Sequence, residues 1–140
     1  MLIRIRERLQ RQDGVAAVEF AVVSMVFLIL LYGILTYGYI YSMDQSLNHA
    51  AEEGARAAIA ATTEAAAITT AQDTAFARLS QYQPSLQASD IVATVANCDS
   101  GFRCITVTIT YPWATRPIIP KFVGMPTPDQ IIATATVQLT

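Results

Sequence analysis

Residues 20–41 read FAVVSMVFLILLYGILTYGYIY, 22 positions without a charge. As a helix this run rises roughly 33 Å at 1.5 Å per residue. A hydrocarbon core is about 30 Å thick, so the run is long enough to span it. A chain of 140 residues cannot enclose such a helix on every side. The run is therefore expected in lipid rather than in a protein core. Tyr32, Tyr37, Tyr39 and Tyr41 crowd its second half, as side chains at a membrane interface do. Arg4, Arg6, Arg8 and Arg11 precede it, and the next arginine is Arg56. That asymmetry places the N-terminus in the cytoplasm and the rest of the chain outside.

Composition supports an anchored protein. Charged residues are only 14% and hydrophobic ones 53%, with a mean hydropathy of +0.37. So apolar a chain is not globally disordered. Its formal charge of −2 argues against a nucleic-acid partner. His49, Cys98 and Cys104 are the only histidine and cysteines, on segments without zinc-finger spacing. A structural zinc takes about four ligands. No metal, cofactor or small-molecule substrate is expected. His49 lies near Glu52 and Glu53, a neighbourhood that helix surfaces carry by chance. Neither a G-x-S-x-G nucleophile context nor a phosphate loop occurs, so no enzymatic activity is expected.

Helical pattern continues beyond the span. Met43, Leu47, Ala50, Ala51, Gly54, Ala57, Ala58 and Ala61 recur at three and four, one apolar face of a helix. A single helix over residues 15–61 would be roughly 70 Å long. Ala50, Gly54, Ala57 and Ala61 form a narrow seam, suited to the domain's own sheet or to a neighbour. Glu52 and Arg56 can pair at i, i+4. Thr63 can cap a second helix with Glu64 in its first turn. Ile68, Ala71, Ala75, Phe76 and Leu79 give that helix its apolar face, and it ends near residues 82–84.

Three strands follow. Residues 91–97 and 105–111 alternate, with a glycine-containing loop over 99–103 between them. Residues 131–139 alternate again, with Ile131, Ala133, Ala135, Val137 and Leu139 on one face. Residues 112–129 hold five prolines and read as an irregular excursion, in which Trp113 and Phe122 could form a contact patch or pack on the sheet. If Cys98 and Cys104 face each other, Val95 opposes Val107 and Thr94 opposes Thr108, so apolar meets apolar on one face and polar meets polar on the other. Outside the cytoplasm such a pair forms a disulfide. The fold class expected is α+β: a long N-terminal transmembrane and stalk helix, a second amphipathic helix and a small three-stranded antiparallel sheet.

The head of the span is distinctive. Gln10-Arg11-Gln12-Asp13-Gly14-Val15-Ala16-Ala17-Val18-Glu19-Phe20 resembles a prepilin leader and mature start. With the span itself and NHAAEEGARAA at 48–58, it resembles the TadE-like family, minor pilins (pseudopilins) of the tight-adherence, or Flp, type IV pilus. The resemblance is close over residues 10–60. It extends loosely through Thr110-Tyr111-Pro112-Trp113 and Ala133-Thr134-Ala135-Thr136. It implies cleavage by a prepilin peptidase between Gly14 and Val15. It also implies an assembly role for Glu19, the fifth mature residue, beside Phe20. Val15 departs from the aromatic or methionine start commoner in other type IV pilins. The partners implied are the membrane, other pilin subunits, the assembly platform and the peptidase. The organisation implied is a cytoplasmic leader at 1–14, a transmembrane helix at 15–41, a helical stalk and second helix at 42–82, and a periplasmic β-rich head at 83–140. The location implied is the bacterial inner membrane, crossed once, and the pilus itself. The alternative is an uncleaved anchored envelope protein with a small periplasmic interaction domain. A lone carboxylate at a helix N-terminus also has a simpler reading for Glu19, as an interfacial charge favoured by the helix dipole.

Overall fold

A computed structural model describes residues 2–83, 85–98, 101–122 and 124–139, with side chains from Gly14 onward. The side chains of the leader arginines, and Pro84, Asp99 and Ser100 of the expected loops, lie outside the described residues. The chain divides into two units, residues 1–39 and 40–140.

Helix α1 runs Leu2–Ala57 and belongs to both. In the first unit it has no apolar face and no polar face. Val15, Val18, Phe20, Val22, Val23, Met25, Leu30, Ile34 and Leu35 are all exposed, although they point in every direction around the axis. An apolar helix without cover suits lipid, where the bilayer replaces a protein core. Among the described residues one helix is long and apolar enough to cross a membrane. Its most apolar window has a mean hydropathy of 2.5 and is wholly unburied. The Thr36 hydroxyl donates to the Tyr32 carbonyl at 2.8 Å, which satisfies it within the helix.

In the second unit α1 becomes one-sided. Met43, Leu47, Ala50, Ala51, Ala55 and Ala58 are buried, while Glu52, Glu53 and Arg56 face solvent. A 3-10 turn at Ala58–Ala60 ends the helix, and Ala61 turns to extended backbone. Thr63 then caps α2, Glu64–Ser80, its hydroxyl accepting from the Ala66 amide at 3.2 Å. The buried face of α2 is Ala67, Ala71, Ala75 and Leu79. It is centred nearer Ala67 than the sequence pattern suggested, because Ile68 and Phe76 are half-exposed.

A further 3-10 turn, Ala88–Asp90, leads into β1, Ile91–Asn97. Strands β2, Arg103–Tyr111, and β3, Ile131–Gln138, complete an antiparallel sheet in the order β1-β2-β3. Ile91, Ala93, Ile105, Val107, Ile109, Tyr111, Ile131 and Ala133 form its buried face. Thr106, Thr108 and Thr110 lie on the other, where the Thr106 and Thr136 hydroxyls share a hydrogen bond of 2.9 Å.

The β1–β2 register differs from the expected one by two residues. Ala93 pairs with Val107, Thr94 with Thr106 and Val95 with Ile105. An even slip keeps every side chain on its face, so alternation cannot detect it. The turn decides instead. Gly101 has φ +81°, the Cys98 amide donates to the Phe102 carbonyl at 2.8 Å, and the Gly101 amide donates to the Cys98 carbonyl at 2.9 Å. The left-handed glycine at 101 and the Cys98–Phe102 hydrogen bond therefore close the hairpin and set its register.

Candidate functional site

Gly14, Val15, Glu19 and Phe20 all lie on α1, at the start of the uncovered apolar stretch. A Cβ placed on Gly14 would meet nothing within 4 Å, so glycine is not required there by packing. Phe20 is 75% exposed, and Val15 and Glu19 are exposed as well. Residues 15 and 19 are separated by four, hence on one side of the helix. Nothing else in the described residues covers that side, and Glu19 is the one carboxylate in residues 14–41. The arrangement offers a single negative charge in an apolar surface. It suits electrostatic pairing with a cation on the same or another helix.

Cys98 and Cys104 are joined by a disulfide, with Cα atoms 5.7 Å apart. They are not direct cross-strand partners. Cys104 pairs with Ala96, and Cys98 sits one step beyond the end of β1. The bond is diagonal, and it ties the hairpin tip rather than the ladder. Beside the tip lies a groove of about 410 Å³. It is lined by Ile59, Thr62 and Glu64 from the α1–α2 turn and by Phe102, Arg103 and Leu139 from the sheet. Arg103 forms an ion pair with Glu64 across it.

The opposite end of the sheet holds a cluster that sequence patterning missed. Arg116 donates to an Asp90 carboxylate oxygen at 2.6 Å and to the Ser85 carbonyl at 2.5 Å. Its guanidinium carbon lies 5.5 Å from the centre of the Tyr111 ring. The Tyr111 hydroxyl donates to the Arg116 carbonyl at 2.7 Å and lies 2.6 Å from the Ser85 hydroxyl. Asp90 also accepts from the Gln87 amide at 2.8 Å. The hydrogen bond that Arg116 donates to Asp90 raises the Arg116 pKa above its ordinary value, against the opposing effect of burial. Three partners, Ser85, Asp90 and Tyr111, thus meet at one guanidinium. No residue spacing announces this, since the partners are 26 and 31 positions apart. Trp113 is fully buried and stacks at a tilt on Tyr111, 6.4 Å between centroids. It packs on its own sheet, whereas Phe122 remains half-exposed.

Among the described residues, one uncovered apolar helix precedes a small disulfide-bonded α+β unit, an arrangement compatible with a single-pass membrane anchor. Residues 14–56 match the family model of TadE-like protein, the family that the sequence itself resembles. The matched segment begins at Gly14 and ends at Arg56, so the looser likeness in the strands lies outside it. No curated protein and no solved structure matches the chain.

Proposed function

We propose that the chain is a minor pilin of the tight-adherence pilus, processed by a prepilin peptidase between Gly14 and Val15. The match to the TadE-like family associates it with that pilus system. The observation that carries the finer reading is Glu19, a lone carboxylate on an apolar, uncovered helix and four residues from Val15. Cleavage after Gly14 would give Val15 a free ammonium, costly to leave unpaired among apolar helices. Glu19 of the same or a neighbouring subunit neutralises it and thereby sets the register of assembly. The four arginines before Gly14 hold the uncleaved N-terminus in the cytoplasm and leave with the leader. The unit at 40–140 is then periplasmic, where its disulfide persists. Its partners are other pilin subunits and the assembly platform.

Intact-mass measurement on membrane-extracted protein tests this reading. Cells with the peptidase should yield a chain beginning at Val15, and cells without it the full 140 residues. The full chain alone in both would favour an uncleaved anchored envelope protein.

A further inference from the structure

Strand β3, Ile131–Gln138, is an outer strand of the sheet. Its pairing with β2 runs unbroken from Tyr111↔Ile131 to Cys104↔Gln138, and the Leu139 amide donates to the Arg103 carbonyl at 2.8 Å. Hydrogen-bonded pairs alternate along an antiparallel ladder, so the odd-numbered residues of β3 bond to β2. The amides and carbonyls of Ile132, Thr134, Thr136 and Gln138 therefore point away from the sheet. Among the described residues no backbone group bonds to them. The opposite edge differs. On β1 the same alternation turns Ile91 outward, and its carbonyl accepts from the Gln72 side chain of α2 at 3.2 Å.

Outer strands are usually blunted by a charge, a proline or a bulge. Residues 130–139 read QIIATATVQL, without charge or proline, and the constant register leaves no bulge. Cover on the helix side also thins along the strand: Ile131 and Ala133 are buried, whereas Ala135, Val137 and Leu139 are half-exposed. Ile132, Thr134, Thr136 and Gln138 are exposed on the other face. This edge is complementary to itself. About a two-fold axis at residue 135, each open amide meets an open carbonyl of a second copy, with Ile132 opposite Gln138 and Thr134 opposite Thr136. On the helix side Ala135 meets Ala135, Val137 meets Ala133 and Leu139 meets Ile131. Threonine faces threonine, apolar faces apolar, and no charge is opposed or buried.

We propose that two copies of this chain join through β3, antiparallel, into one continuous sheet with three strands from each copy. A second copy is the occupant because a two-fold contact demands a self-complementary patch, which this edge supplies on both faces and along its backbone. The proposal is independent of leader cleavage and of pilus assembly. A pairing of eight residues is smaller than a standard stable interface, so the dimer exchanges with single chains and is measured by trapping.

The test uses the full chain in detergent micelles. Cys98 and Cys104 are bonded to each other, so Ala135→Cys supplies one reactive thiol, on the axis itself. The two Cα atoms of such a non-hydrogen-bonded pair lie about 4.5 Å apart, within disulfide reach. Mild oxidation should yield a covalent dimer. Val92→Cys, exposed on β1, should remain single. Adding Thr134→Lys and Thr136→Lys to Ala135→Cys sets lysine against lysine twice and should lower the dimer yield about ten-fold. Thr134→Lys with Thr136→Glu sets unlike charges opposite and should retain it. In the unaltered chain, amide exchange at residues 132, 134, 136 and 138 should slow as protein concentration rises. No dimer from Ala135→Cys would overturn the proposal. So would equal yields from positions 135 and 92, which mark chance collision in the micelle, or exchange at β3 that ignores concentration.

Discussion

At Gly54 the two helices of the 40–140 unit touch backbone to side. A Cβ built there would lie 2.6 Å from the Ala71 carbonyl oxygen and 3.1 Å from the Ala75 Cβ. Neither neighbour can swing aside, one being backbone and the other a methyl group on a helix. Gly54→Ala therefore sets two effects against each other. Alanine is the better helix former by about 1 kcal/mol. Overpacking a closed interface costs about 1–3 kcal/mol. The 2.6 Å contact is well inside van der Waals distance, so α1 and α2 must separate by several tenths of an ångström along a seam of buried alanines. The clash should win, with a net loss of about 1 kcal/mol. For a unit of this size that lowers the melting temperature by roughly 4–8 °C. Gly54→Val, bulkier and a poorer helix former, should lose more. Thermal unfolding in detergent, followed by near-ultraviolet dichroism of buried Trp113, measures both. A melting temperature for Gly54→Ala equal to or above that of the parent would refute the close-contact argument.

Other perturbations separate the remaining elements. Reducing the Cys98–Cys104 bond should destabilise the 40–140 unit by about 2 kcal/mol, since the closed loop is short; a thiol count on unreduced, denatured protein should find none, and two would remove the bridge. Arg116→Met should cost about 1–3 kcal/mol by leaving Asp90 without its cation, because the pair's side chains are only 24% and 10% exposed. The Arg116 pKa is raised on folding, so the pair's contribution is complete below arginine's ordinary range and is lost only as the pH rises beyond it. Stability of the parent and Arg116→Met should therefore differ by a constant amount between neutral pH and pH 10, and a gap that closes within that window would contradict the assignment. Glu19→Ala should leave membrane insertion and abundance unchanged yet abolish crosslinking to other pilin subunits; unimpaired crosslinking would return Glu19 to an interfacial charge.

Much of the architecture follows from periodicity. The long apolar helix is visible as 22 uncharged residues in a row, and α1's change to a one-sided helix is visible as spacings of three and four from Met43 onward. Thr63 announced the start of α2 because a hydroxyl before a helical run has a specific task, capping the Ala66 amide. What escaped is whatever depends on pairs distant in sequence. The β1–β2 register was set by a left-handed glycine at 101, while alternation accepts any even slip. The Gly54 seam was legible, but not that it faces α2. The Arg116 cluster could not be read at all, because Ser85, Asp90 and Tyr111 carry no shared period. Of the candidate site, Gly14 and Glu19 stand out by contrast with their apolar surroundings, and the structure adds their exposure.

The hairpin disulfide also bears on how the chain matures. Two cysteines admit one intramolecular pairing, so oxidation has no wrong isomer to make and none to unscramble. The six-residue separation holds the thiols at high effective concentration even before β3 has been added. Closure of the bond therefore needs only local chain motion within the hairpin and no contribution from the rest of the fold.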